Sequence, residues 1–112
     1  MAKYLGVAKD DPQFNSVKLA GAGSTTLTGI GRISQSLTPV SVATITAAEQ
    51  AFTVPGLAVG DAVTVTPPSI TAGVAPVCAR VSAANTLQIT FVNPTAGPLV
   101  PAAGVYQIQF TR

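Results

Sequence analysis

Two stretches of this chain, NTLQITFVN (85–93) and GVYQIQFTR (104–112), alternate apolar and polar residues almost without a break. In the first, Leu87, Ile89 and Phe91 fall on one face and Gln88 and Thr90 on the other; in the second, Tyr106, Ile108 and Phe110 oppose Gln107, Gln109 and Thr111. A repeat of two gathers apolar residues on one face only in a β-strand, because a helix would scatter them around its circumference.

Similar short runs recur from Pro39 onward, cut apart by turn residues. VSVATIT (40–46) is rich in β-branched residues, and QAFTVPGL (50–57) puts Phe52 and Val54 on one face before Pro55-Gly56 ends it. Gly60-Asp61 turns the chain into AVTVT (62–66), which Pro67-Pro68 must stop, since a proline has no N–H to give a ladder. VAPVCARVS (74–82) follows Gly73, and Pro76 inside it marks an edge strand or a bulge. ATITAAEQAF comes nearest to a helix, but its Thr- and Val-rich flanks favour a strand. Six short strands joined mostly by short turns predict an all-β fold, an antiparallel β-sandwich (jelly-roll-like), over residues 37–112.

Residues 1–36 read differently. LAGAGSTTLTGIGRISQSL sets Gly, Ser and Thr between isolated apolar residues with no sustained period, and predicts an extended N-terminal arm with one short strand around Thr25 to Ile30. The whole chain of 112 residues is one domain's worth of core.

Charge is scarce. Charged residues are 9% of the chain, against roughly 25% in an ordinary soluble domain. Residues 1–32 hold Lys3, Lys9, Asp10, Asp11, Lys18 and Arg32; beyond them stand only Glu49, Asp61, Arg80 and Arg112. The outward positions of the expected strands carry Thr, Gln, Ser and Ala. Strand edges without charge invite pairing with another chain, most often a copy of the same one. The neutral surface is therefore expected to be an assembly surface.

Several function classes recede on the same grounds. No two basic residues are adjacent, whereas nucleic-acid binding needs clustered cations to displace counterions. No apolar run approaches the roughly 18 residues of a membrane helix. The five-residue apolar stretch between Lys3 and Lys9 is too short for a signal-peptide core, so the expectation is of a chain made in the cytoplasm and not processed. A single cysteine, Cys78, excludes an internal disulfide; beside Val77 and Val81 it is expected to be a small buried hydrophobe.

There is no histidine, which removes imidazole-based triads and the commonest metal ligand. Asp10, Asp11, Glu49 and Asp61 are the only carboxylates left for acid–base work. Asp10 and Asp11 read as a solvated turn before Pro12, Asp61 as a turn residue bonding nearby backbone, and Glu49 as a partner for Arg80 or a loop cap. GAGSTTLTG lacks the lysine and the strand–helix setting of a phosphate loop. No catalytic residue, cofactor or metal site is assigned, and a non-enzymatic protein is expected. The interface candidates are Tyr4, Phe14, Lys18, Arg32 and Arg80. Tyr4 and Phe14 are aromatics on a polar arm, suited either to anchor in a partner's pocket or to fold back on their own domain. Arg80, in an otherwise uncharged strand, either reaches a carboxylate across an interface or sits at a solvent edge.

The runs FTVPGLAVGDAVTV, ARVSAANTLQITFVNPTAG and PAAGVYQIQFTR, in that order, resemble a small β-sandwich found among structural proteins of tailed bacteriophages. The resemblance covers residues 36–112 and leaves the arm unmatched. It implies a virion component, foremost a head decoration (cement) protein on the capsid exterior. Such proteins are typically non-enzymatic, often trimeric, and fastened to a lattice by terminal arms. The implied partners are the major capsid protein and copies of the chain itself, as a homotrimer. The alternative is a tail- or fibre-associated receptor-binding module, with TPPSITAGVAP and NPTAGPLVPAAG at its tip. The shared residues are scaffold, so no functional residue is carried over.

Overall fold

The computed structural model describes residues 26–112. Six strands follow one another: β1 (Ile30–Leu37), β2 (Thr46–Thr53), β3 (Ala62–Thr66), β4 (Ala75–Ala83), β5 (Thr86–Asn93) and β6 (Gly104–Thr111). They form two antiparallel three-stranded sheets, β1-β6-β3 and β2-β5-β4. The strictly alternating runs become the two central strands, because only a central strand has both edges paired and one whole face to bury. From β5 come Leu87, Ile89 and Phe91, and from β6 Tyr106 and Ile108, all with no solvent exposure. Burying each such side chain contributes roughly 1.5–3 kcal/mol. Val42, Val54, Leu57 and Val74, from the segments that cross between sheets, close the rest of the core.

Only β4 and β5 are joined as a hairpin within one sheet; the other four connections cross to the opposite sheet. Side chains pin the crossings. Asn93, fully buried at the end of β5, donates to the carbonyls of Val42 (3.0 Å) and Gly97 (2.9 Å) and accepts from the N–H (3.0 Å) and hydroxyl (2.6 Å) of Thr95. The Tyr106 hydroxyl donates to the Ala102 carbonyl at 2.6 Å, the back-bonding of a tyrosine corner, which fixes how the chain enters β6. Asn85, at φ 60 in the β4–β5 turn, accepts from Val54 N, donates to Leu57 O and receives Gly56 N on its side-chain oxygen.

Three expectations need correction. The strand expected at 40–46 is a crossing segment touching the rest through a Val42–Leu99 bridge, and the strand begins only at Thr46, with AAEQ inside it. The Gln50 side chain donates to Val40 O and accepts from Val40 N, each at 2.9 Å, and so replaces a ladder there. Next, the segment 30–36, expected within the arm, is most of β1, so the sandwich starts before residue 37. Gly31 is the reason so plain a strand packs: a Cβ there would lie 2.5 Å from Cζ of Phe110, whose ring uses that space. Finally, Cys78 is exposed, not buried. The ladder between β4 and β5 is irregular between Pro76 and Cys78, which shifts the alternation so that Cys78 and Arg80 point out while Ala79 and Val81 point in. Pro76 does lie on an edge strand at a bulge, as its presence predicts.

Candidate assembly surface

Five charged residues fall among those described: Arg32, Glu49, Asp61, Arg80 and Arg112. Four of them neutralise one another. Glu49 on β2 and Arg80 on β4 reach toward each other over β5, Nε to Oε2 at 2.7 Å and NH2 to Oε1 at 2.8 Å. The hydrogen bonds from Arg80 hold the Glu49 carboxyl below its ordinary range, and the same contact raises the Arg80 guanidinium. Both side chains meet solvent, so the pair adds little stability; its consequence is a sheet face without net charge.

The second pair is structural. The Asp61 carboxylate, 1% exposed, accepts from Arg112 Nε (3.0 Å), Arg112 NH2 (2.9 Å) and Ala58 N (2.9 Å). The turn role expected of Asp61 is thus present, with a distant partner that spacing could not show. Arg112 also donates to Gly56 O at 2.7 Å, lies over the Phe110 ring at 4.7 Å and exchanges backbone hydrogen bonds with Gly29. Arg32 alone keeps an uncancelled charge among the described residues. Its Nε donates to Gln107 Oε1 at 3.2 Å, an oxygen that Ser34 Oγ shares.

The outer face of the first sheet accordingly shows Ile30, Arg32, Ser34 and Ser36 beside Thr111, Gln109, Gln107 and Val105, then Ala62, Thr64 and Thr66. That of the second shows Ala47, Glu49, Ala51 and Thr53 beside Thr86, Gln88, Thr90 and Val92, then Cys78, Arg80 and Ser82. Hydroxyls, amides and methyls make up nearly all of both.

The four edge strands are guarded unequally. β3 has five residues and runs into Pro67-Pro68; β4 contains Pro76 and two register irregularities. Shortness, proline and bulges are the standard means of blunting an edge. β1 and β2 have eight residues each, no proline and a regular register. Since β3 packs against β4 and β5 and β6 are central, β1 and β2 are the edges that their two sheets turn to the opposite flank. Among the described residues the sandwich has one guarded flank and one bare flank.

Two open recesses lie nearby. One, at the β3/β4 seam, is lined by Val63, Val65, Pro76, Val77, Ala79 and Ile89, with Thr64 and Cys78 at it; the other spreads over the outer first sheet around Ile30, Arg32, Thr64 and Gln109. Among the described residues no carboxylate lines either. Of the interface candidates, Arg32 and Arg80 lie on outer faces of different sheets, and nothing among the described residues joins them within one copy. Arg80 proves to serve Glu49 of its own chain. Tyr4, Phe14 and Lys18 lie outside the described residues. Sequence reasoning passed over Asn85, Asn93 and Arg112, of which only the turn preference of asparagine left a signal. Comparison with family models, curated proteins and solved structures returns no match.

Proposed function

We propose that this protein is a non-enzymatic structural module that works packed against copies of itself and against the exterior of a viral capsid, as a head decoration protein. The observation that supports this most is the treatment of charge. Four of five described charges cancel within the chain, leaving two near-neutral sheet faces and a flank of two unguarded strands. An isolated domain gains little from such a surface, because net and scattered charge is what keeps domains apart in solution. A subunit in a lattice gains from it, since hydroxyl and amide faces cost less to desolvate than charged ones and can pair by hydrogen bonds. The resemblance of residues 36–112 to phage β-sandwich modules supplies the particular setting, and Tyr4 and Phe14 are the arm residues suited to anchor on neighbouring capsid subunits.

The test is immunogold labelling of virions with copy counting. Label over the head, with a copy number commensurate with the capsid lattice, is the expected result. A few copies confined to the tail would replace this reading with a tail or fibre role, and absence from particles would end it.

A further inference from the structure

We propose that the bare flank is where copies of this chain join: the β1 edge of one copy pairs antiparallel with the β2 edge of the next, and Arg32 meets Glu49 of the neighbouring copy. This rests on the self-assembly part of the reading above and adds the surface, the strand pairing and the charge contact.

The geometry follows from which ends lie together. At one end of the sandwich Gly29 exchanges backbone hydrogen bonds with Arg112, Arg112 donates to Gly56 O, and Val54 N donates to Asn85 O. β1 begins at that end and β2 finishes there, so the two run in opposite directions. A rotation axis parallel to the strands, set along the flank, brings β1 of one copy beside β2 of the next. It keeps that opposite sense, preserves heights along the strands, and leaves both outward faces on the same side. Counted from the Arg112 end, Arg32 is the third residue of β1 and Ala51 the third of β2 from its close, with Glu49 two residues further. Two residues are about 7 Å along a strand, a diagonal step that long side chains span.

The charges suit this contact. Arg32 is exposed and is the cation that nothing acidic meets among the described residues. Among the described residues Glu49 is the only acid on the flank, and it is also the residue that should protect the β2 edge. A lone charge on an edge strand normally repels an incoming strand. Here Arg80 draws the carboxylate inward over β5, away from the edge. The guard is disarmed but not closed off: the Glu49 side chain is 35% exposed and its carboxylate oxygens keep free lone pairs, so a neighbour's guanidinium can share it with Arg80. The guarded flank excludes the other candidates: the prolines and irregularities of β3 and β4 leave too little regular edge to add a strand. Two copies close such a ring with their sheets coplanar, and three close it with a bend at each junction.

The test uses the full chain in sedimentation velocity over a range of concentrations, with circular dichroism to check folding. Wild type should form a closed oligomer. Ala51→Lys, which sets a cation level with the neighbour's Arg32, should raise the dissociation constant about tenfold or more, as should Arg32→Glu, which faces Glu49. The combination of the two should recover most of the loss, because opposite charges then face each other. Ser82→Lys, the same charge change on β4, should leave assembly unchanged. A wild type that stays monomeric at about 100 µM overturns the proposal, and whether the capsid reading survives is then decided by particle labelling. An oligomer indifferent to the paired substitutions places the junction elsewhere and leaves self-assembly standing.

Discussion

Replacing Arg112 with Ala removes one side chain that holds three segments at once. Asp61 would keep only the Ala58 N–H from the protein; its carboxylate is 1% exposed while Arg112 covers it, so only water admitted where that side chain lay can replace the two lost bonds. Stripping one partner from a fully buried pair costs about 3–5 kcal/mol. Arg112 itself is 37% exposed, so water already screens one side of the pair, and the cost scales down to about 2–3 kcal/mol. Gly56 O loses a donor that water can replace, and the cation over Phe110 is worth about 0.5–1 kcal/mol within that range. Urea denaturation, read at constant slope, should show the loss directly, and the melting midpoint should fall on the order of 10–20 °C. Arg112→Ala combined with Asp61→Asn should be milder than the sum of the two singles, because the second change removes the stranded charge. A single variant within about 0.5 kcal/mol of wild type, or strict additivity in the cycle, would refute the view that this pair locks the turn to the end of β6.

Three further outcomes are expected. Asn93→Leu should cost about 1–3 kcal/mol in the same denaturation assay, because it leaves Thr95 N without its acceptor and takes one of two donors from both Val42 O and Gly97 O around a fully buried side chain. Cys78 should react with a thiol reagent in the native protein as fast as a small-molecule thiol of like acidity, since it is exposed; protection until unfolding would contradict the phase shift at Pro76. Glu49, followed by carboxyl carbon NMR, should titrate below 4.5 and move up toward that value in Arg80→Ala. Since its folded-state value lies below the unfolded one, the contact favours the fold above that range and ceases to as the pH falls through the lowered value.

Which parts of this were legible beforehand follows the range of the interactions involved. Alternation in 85–93 and 104–112 revealed the two central strands and their inward residues, since the period of side-chain direction is a local property of extended backbone. Pro76 announced an edge, and Gly60-Asp61 a turn, for equally local reasons. The crossing at 40–46 was misread because β-branched composition looks alike in a strand and in a crossing held by Gln50. The strand at 30–37 was hidden because Gly31 is apt only once Phe110 lies against it.

The sequence by itself therefore determined the class of fold, the two alternating strands and the poverty of charge, all of which reside in the order and kind of neighbouring residues. Only the tertiary structure decided what the few charges do. Asp61 and Arg112, Glu49 and Arg80, and the sharing of one flank by β1 and β2 are meetings of residues far apart along the chain. Four of the five strand connections cross between sheets, and no local pattern records which distant backbone such a crossing will lie against.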